Sequence, residues 1–440
     1  MKVLLIILDG LGDRPALELG GRTPLEAANT PNIDRLAAQG ITGLMDPIAP
    51  GIAPGSDMAH FVIFGYSLSD FPGRGVFETV GEGLELSDKD VVCRASFASV
   101  KEQDGYLQVV DRCIGVDEEC CQALAREISE KEFCGIRFHF VYNGKRQGIL
   151  FLKGEVSPSI TDSDPFCDDM PVIKIQPLEG VQDRGKAEHT ADCLNEYLRW
   201  VYRKLVNHPA NASREKAELP PVNFLLTKWA GRRRPLISFD EKYGLRGTTI
   251  ASGPMFRGLA SEIGLTFFEV KQIKDAEEDL RNRFKVAEKA FKEAYDFVHI
   301  HTKTIDDAAH TKDPTFKKSI IEDVDKSFNY LFSSQNLIQN SLIIVTSDHS
   351  TPSRGELIHS GGPVPIAIVG ENVRRDGVEK FSELACAQGG LRRIRGTDLM
   401  NIILDLTDRV KYYGTRPTAR DIPYHPRKVI PLRLFSEGGL

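Results

Sequence analysis

Six consecutive aliphatic residues, Val3 to Leu8, run without a polar break into Asp9. A strand with one face in water alternates polar and apolar residues, whereas an unbroken Val/Leu/Ile run needs apolar cover on both faces. The run therefore predicts an inner strand of a parallel sheet covered by helices. Further strand-like stretches return late in the chain, in "VNFLLTK", "GLRGTTIAS", "DFVHIH", "SLIIVTS" and "VPIAIVG". Near the start, "TPNIDRLAAQG" places Thr30 to cap a helix, Pro31 in its first turn and Gly40 to stop it. Strand then helix at the start, with alternating α/β texture after Pro221, predicts one layered α/β domain built from both ends of the chain.

Between these ends the texture changes. "VVCRASFASV", "YLQVVDR", "IRFHFVYNG" and "QGILFLKG" are short β-rich pieces around a helix over 118–130, the pattern of a smaller α+β domain of mostly antiparallel strands. "ADCLNEYLRWVYRKLVNHP" is helical, with Leu194, Leu198, Val201 and Leu205 on one stripe that serves core packing. A later helix buries Leu280, Phe284, Ala287 and Phe291. The expected organisation is 1–85 and 236–440 as one domain and 86–235 as the insert.

Composition narrows the function classes. A chain of 440 residues has room for two or three domains. A net charge of -6 argues against nucleic acid as the main partner, because a phosphate-binding face needs a basic excess. Eight cysteines without a C-x-x-C pair are too sparse for a disulfide scaffold or a zinc ribbon and fit thiols in a reducing cytoplasm. The apolar start is too short for a signal peptide or a membrane span, so a cytoplasmic location without a membrane partner is expected. Oligomeric state is left open.

Four places just past expected strands carry chemistry. Asp9 ends the first run, at the sheet edge where open α/β folds bind ligands; alone it also fits a turn aspartate. In "GIAPGSDMAH" Ser56 stands at the start of a helix, where free N–H groups favour an anion; alone it also fits an N-cap. In "HIHTKTIDDAAH" Asp306 and His310 are four apart, so one helical turn aims both at one ion, although such pairs also occur on plain surfaces. In "TSDHSTPSRGELIHSGGP" Asp348, His349 and His359 follow another strand. Three aspartates, three histidines and a serine are enough for two divalent ions and a metal-activated hydroxyl nucleophile. The donor set suits Mn²⁺ or Zn²⁺ better than Ca²⁺, and Mg²⁺ remains compatible.

The set "ILDG", "PGSDMAHFVIFGY", "GRGVFETVGEGLEL", "DHSTP" and "HSGGPVPI", with the Asp306–His310 pair, resembles the archaeal type of cofactor-independent phosphoglycerate mutase, in the alkaline phosphatase superfamily. The similarity spans nearly the whole chain in order and includes "FASV", "TDSDP" and "FDEKYGLRG". It implies an alkaline-phosphatase-like α/β core carrying the metals, and an insert that binds substrate and acts as a lid. It implies Ser56 as the phosphorylated nucleophile and Lys242 as a lysine that helps hold the phosphoryl group. One metal would be held by Asp9, Ser56, Asp348 and His349, the other by Asp306, His310 and His359. His60 belongs to the nucleophile motif and, with Arg74, Arg112, Asp162 and Lys228, is implied to bind substrate. The substrate implied is a small phosphorylated acid, 3-phosphoglycerate exchanging with 2-phosphoglycerate.

The pattern is broken at four positions. "DRCIGV" puts Cys113 and Val116 where the family tends to carry arginines, Lys228 stands where an arginine is common, and Gly362 replaces an aspartate. An arginine grips a carboxylate or phosphate through two parallel hydrogen bonds, which cysteine and valine cannot replace. The departures predict weakened phosphoglycerate activity. They also keep open a phosphoesterase, or a mutase for another phosphorylated or phosphonate acid; a metal-binding protein without catalysis fits the complete ligand set less well.

Overall fold

A computed structural model describes residues 1–115, 117–410 and 432–434, so Val116 lies outside the described residues. The chain forms two compact units: Met1–Phe71 with Leu236–Leu440, and Pro72–Pro235. The first border falls after Phe71, earlier than the expected 85/86. The cause is the helix Arg74–Gly81, which packs on strands Val91–Gln103 and Phe224–Gly231 of the second unit. Gly75 allows that approach, since a Cβ there would lie 2.5 Å from the Trp229 carbonyl oxygen and 2.7 Å from that of Val92.

The first unit is built on an eight-stranded sheet in the order Thr266–Glu269, Gly247–Ala251, Phe297–Thr302, Lys2–Leu8, Ser341–Thr346, Val364–Val369, Ile41–Asp46, Arg392–Arg395. The first five strands run parallel; Val364–Val369 is antiparallel to both neighbours. Val3 to Leu8 are all fully buried, as an inner strand requires. Helices Pro31–Gln39, Ala276–Lys292 and Pro314–Ser333 bury Leu36, Phe284, Phe291 and Phe328 against the sheet residues Leu4, Ile6 and Ile300. Thr30 does not cap its helix as expected; its hydroxyl turns to Asp34.

The second unit is a six-stranded antiparallel sheet in which Val91–Gln103 pairs with Tyr106–Asp111, Gln147–Lys153 and Phe224–Gly231. The helix Arg184–Leu205 covers it with Leu194, Leu198, Val201 and Leu205, the stripe read from sequence. Among the described residues no helix is long and apolar enough to cross a membrane.

One buried cation ties the loops at the carboxyl end of the first unit's sheet. Lys317, wholly inaccessible, donates to the carbonyl oxygens of Gly12 and Thr351 at 3.0 and 2.8 Å and to Asp13 Oδ2 at 3.0 Å. Removing one partner of a buried pair strands the other charge, a cost of about 3–5 kcal/mol. Lys317→Met is expected to lower the unfolding free energy by about that much in urea titrations. Adding Asp13→Asn should recover part of the loss.

Candidate active site and metal centre

Three neighbouring parallel strands end together. Leu8 pairs with Thr302, and Ile7 with Thr346, so Asp9, the Lys303–Asp306 turn and the Ser347–His349 turn emerge side by side. Gly10 (φ +67°) lets the first turn pass Asp306 and Thr351, because a Cβ there would sit under 3 Å from both side chains. Its N–H donates to Asp348 Oδ1 at 3.3 Å.

Asp9, Asp306 and Asp348 are all at most 1% exposed. His349 Nε2 lies among them, 3.1 Å from Asp9 Oδ1, 3.4 Å from Asp348 Oδ2 and 3.1 Å from Ser56 Oγ. Ser56 opens the helix Ser56–Ile63 as its first residue; Gly55 is the N-cap, so the serine is not spent on capping. Asp306 and His310 share the helix Thr304–His310 with Nε2 3.2 Å from Asp306 Oδ2, and His359 Nε2 comes within 3.8 Å of Asp306 Oδ1. The seven residues expected to hold two ions thus come together in one region of space.

The histidine tautomers are fixed by their outer partners. Thr351 Oγ1 spends its proton on Asp306 Oδ1 at 2.7 Å, so it accepts from His349 Nδ1 at 3.0 Å. The Pro54 carbonyl can only accept, so His359 Nδ1 donates to it at 2.8 Å. Both rings therefore turn the Nε2 lone pair, when neutral, toward the carboxylates, the orientation a metal ligand needs.

The electrostatics ask for positive charge. Burial and the neighbouring Asp9 push Asp348 up to about 7. Burial opposes charge on His349, but Asp348 and Asp9 prevail and raise it to about 9. Burial raises Asp9 too, yet His349 and His301 outweigh it and hold the acid well below its ordinary value. Burial, then His349, lowers His359 to about 4. Buried Asp9 Oδ1 and Asp348 Oδ2 lack any aligned hydrogen bond. Donor atoms of Asp9, Asp306 and His349, and of Asp306, His310 and His359, lie within 4.8 Å of one another. These orphaned oxygens and convergent lone pairs fit divalent cations, which replace the shared protons as the compensating charge.

His60, expected to touch substrate, does not reach an open surface. It is fully buried against His299, His301 and Phe256, and its Nδ1 donates to the Ser56 carbonyl at 2.7 Å. Its place is behind Ser56, on the buried side of the helix Ser56–Ile63. His301, His60 and Asp348 form a third donor grouping, but His301 Nε2 is committed to Asp9 Oδ2 at 3.0 Å, so this layer orients the Asp9 carboxylate. Sequence reading missed His301, Thr351 and Lys303, whose Nζ donates to Asp306 Oδ2 at 2.6 Å. The signal for the first was available: histidines on an otherwise apolar buried strand. Lys242, on the helix Phe239–Tyr243, holds Nζ 4.7 Å from the Tyr66 ring centre.

In the second unit, taken by itself, Arg112 makes two bonds to Asp164 at 2.7 and 2.9 Å, and Lys228 Nζ joins the same carboxylate at 3.1 Å. Arg74 bonds Glu78 at 3.2 Å and stacks 3.8 Å over Trp229. Asp162 accepts the Trp229 N–H at 2.7 Å, so its carboxylate shapes the backbone there.

A family model described as the Metalloenzyme superfamily matches residues 1–406. The chain is 41% identical over 437 residues to 2,3-bisphosphoglycerate-independent phosphoglycerate mutase 2 of Methanocaldococcus jannaschii, covering 97% of this chain and 98% of that one. It is 36% identical over 419 residues to the 2,3-bisphosphoglycerate-independent phosphoglycerate mutase of Methanopyrus kandleri, covering 94% and 98%. Among solved structures, a protein from Pyrococcus horikoshii superposes with a TM-score of 0.75 at 33% identity, over 94% of this chain and 99% of that one. The cofactor-independent phosphoglycerate mutase of Thermoplasma acidophilum does so with a TM-score of 0.61 at 33% identity, over 92% and 100%. With its ligand cluster at the ends of three parallel strands, the chain belongs to the metalloenzyme superfamily and, within it, to the archaeal family of 2,3-bisphosphoglycerate-independent phosphoglycerate mutases.

Proposed function

We propose that this chain interconverts 3-phosphoglycerate and 2-phosphoglycerate through a phosphoserine at Ser56. The observation that carries the reading is Ser56 Oγ at 3.1 Å from His349 Nε2, beside three buried carboxylates and at the start of a helix. Asp9, Ser56, Asp348 and His349 would hold one divalent ion, and Asp306, His310 and His359 the other. Mn²⁺ or Zn²⁺ suits these donors best and Mg²⁺ remains compatible; bound there, two such ions supply Lewis acidity that lowers a serine pKa and neutralises phosphoryl charge.

The chain's own residues do the rest. Ser56 gives up its hydroxyl proton and its Oγ attacks phosphorus as the bond to the 3-oxygen breaks; that oxygen takes up one proton, leaving glycerate. Glycerate then turns, its 2-hydroxyl gives up its proton and attacks the phosphoserine, and Oγ takes one proton back as its bond to phosphorus breaks, restoring Ser56. The N–H groups of the first turn of Ser56–Ile63 and the Lys242 ammonium hold the phosphoryl oxygens. Arg74, Arg112 and Lys228 supply cations for the substrate's acid group. Water has to be kept out between the two steps, because it would turn transfer into hydrolysis. The eight free cysteines support a reducing, cytoplasmic setting.

A coupled assay with enolase, run across Mn²⁺, Zn²⁺ and Mg²⁺ with phosphate release measured alongside, tests the reading. Mutase turnover exceeding phosphate release supports it, whereas phosphate as the main product means a phosphoesterase. Ser56→Ala is expected to cost about four orders of magnitude or more in kcat, as removal of a nucleophile does, with the fold intact by circular dichroism. Mass spectrometry of quenched enzyme should place phosphate on Ser56 and on no other residue. Metal analysis of saturated protein should give about two ions per chain, and His359→Ala about one, since each ion has its own ligands. Metal at about 100 times its Kd should raise the unfolding free energy by about 2.7 kcal/mol per site.

A further inference from the structure

The second unit carries two aromatic residues in a backbone conformation that disfavours them. Trp229 has φ +60° and Phe166 φ +59°, in the left-handed region that large side chains rarely enter. Both are held there by neighbouring carboxylates: Asp162 accepts the Trp229 N–H at 2.7 Å, and Asp164 accepts the Phe166 N–H at 2.9 Å. Strain of this kind persists where the surroundings over-determine it, and it concentrates at ligand clamps.

The two rings converge on one cation. Lys228 Nζ lies 4.5 Å from the Trp229 ring centre and 4.9 Å from that of Phe166. Arg74 stacks on the Trp229 ring at 3.8 Å, and Arg112 sits 5.5 Å from Phe166. An aromatic cage usually takes a cationic ligand; here the chain's own lysine fills it, so the ligand it can serve is an anion. The Arg74, Arg112 and Lys228 side chains stay 26%, 20% and 14% exposed, so each keeps a face that a ligand can meet. Asp164 takes one of the three ammonium protons of Lys228.

We infer that Trp229, with Phe166, determines specificity: the two strained rings fix the Lys228 ammonium between Arg74 and Arg112 to select a phosphorylated acid by its carboxylate. This rests on the proposed function in taking the ligand to be such an acid. A lysine is a flexible point charge, and walling it between rings gives it the fixed direction that an arginine fork would otherwise provide.

The chain has two tryptophans, so Trp200→Phe leaves Trp229 as the sole reporter. Titrating that protein with 3-phosphoglycerate should quench its emission, and the same quench should vanish in Trp229→Phe. Glycerol 3-phosphate, which lacks the carboxylate, should bind at least about tenfold more weakly. Trp229→Gly should lose most of that preference by calorimetry, with 3-phosphoglycerate binding about tenfold weaker and the glycerol 3-phosphate affinity unchanged. Because glycine accepts φ +60° freely, its melting temperature should hold or rise, which a merely structural tryptophan would not allow. An unchanged preference in Trp229→Gly, or turnover of phosphoglycerate without any quench, overturns the inference. A protein that shows the quench and the preference but no mutase turnover would refute the proposed function and leave this inference standing.

Discussion

Three carboxylates buried within one cluster are the constraint on which the first unit depends. Asp9, Asp306 and Asp348 repel one another in a medium that screens poorly, and His349 together with Lys303, which pairs with Asp306, still leaves one negative charge over. Such a cluster is costly unless a cation is meant to sit there. Its neighbourhood is built to keep it from relaxing: Thr351 fixes His349 and Asp306 together, Pro54 fixes His359, and His301 pins one oxygen of Asp9. With their outer contacts spent, the remaining oxygens and Nε2 lone pairs have only one direction left.

The sheet makes that crowding geometrically cheap. Parallel strands end at the same edge, so residues from positions 9, 306 and 348 meet without any long excursion of backbone. Lys317 and Asp13 then lock the loops one layer below the cluster, where Lys317 binds carbonyl oxygens from both the Gly12 and Thr351 turns. Fold stability and ligand placement are thereby coupled through the same turns.

What was legible in the sequence follows from this arrangement. The run Val3–Leu8 announced an inner strand because burial on two faces leaves no polar position, and the residue after such a strand is placed by the sheet itself. Asp348, His349 and the Asp306–His310 pair could be read for the same reason. Strands Ile41–Asp46 and Arg392–Arg395 could not: one contains a glycine and a threonine, the other three arginines, and they exist because neighbouring strands need pairing at the sheet's edge. The burial of His60 was equally hidden. Helical spacing from Ser56 puts it one turn on, but which face that turn buries depends on Phe256 and His301, from distant parts of the chain. The border after Phe71 was not legible because nothing in "GRGVFETVGEGLEL" says which unit the helix Arg74–Gly81 packs against.

The two units hold their buried charged groups by different physical means. The first stores repulsion between charges, which a cation relieves; the second stores backbone strain at Trp229 and Phe166, which two carboxylates maintain. This difference changes how motif departures weigh. The resemblance sets Cys113 against an arginine, yet Arg146, from the turn Gly144–Gln147, brings Nη2 to 3.3 Å from the Cys113 sulfur. A guanidinium thus lies beside Cys113, carried by a residue thirty-three positions later. A guanidinium can be supplied from any element whose reach ends there, because attraction for an anion depends on where the charge lies. A strained backbone cannot be relocated in this way: the left-handed residue Trp229 gives its N–H to Asp162 at that one point of the chain. Loss of an arginine from a motif therefore says less about substrate binding than a change at Asp162, Asp164 or Trp229 would.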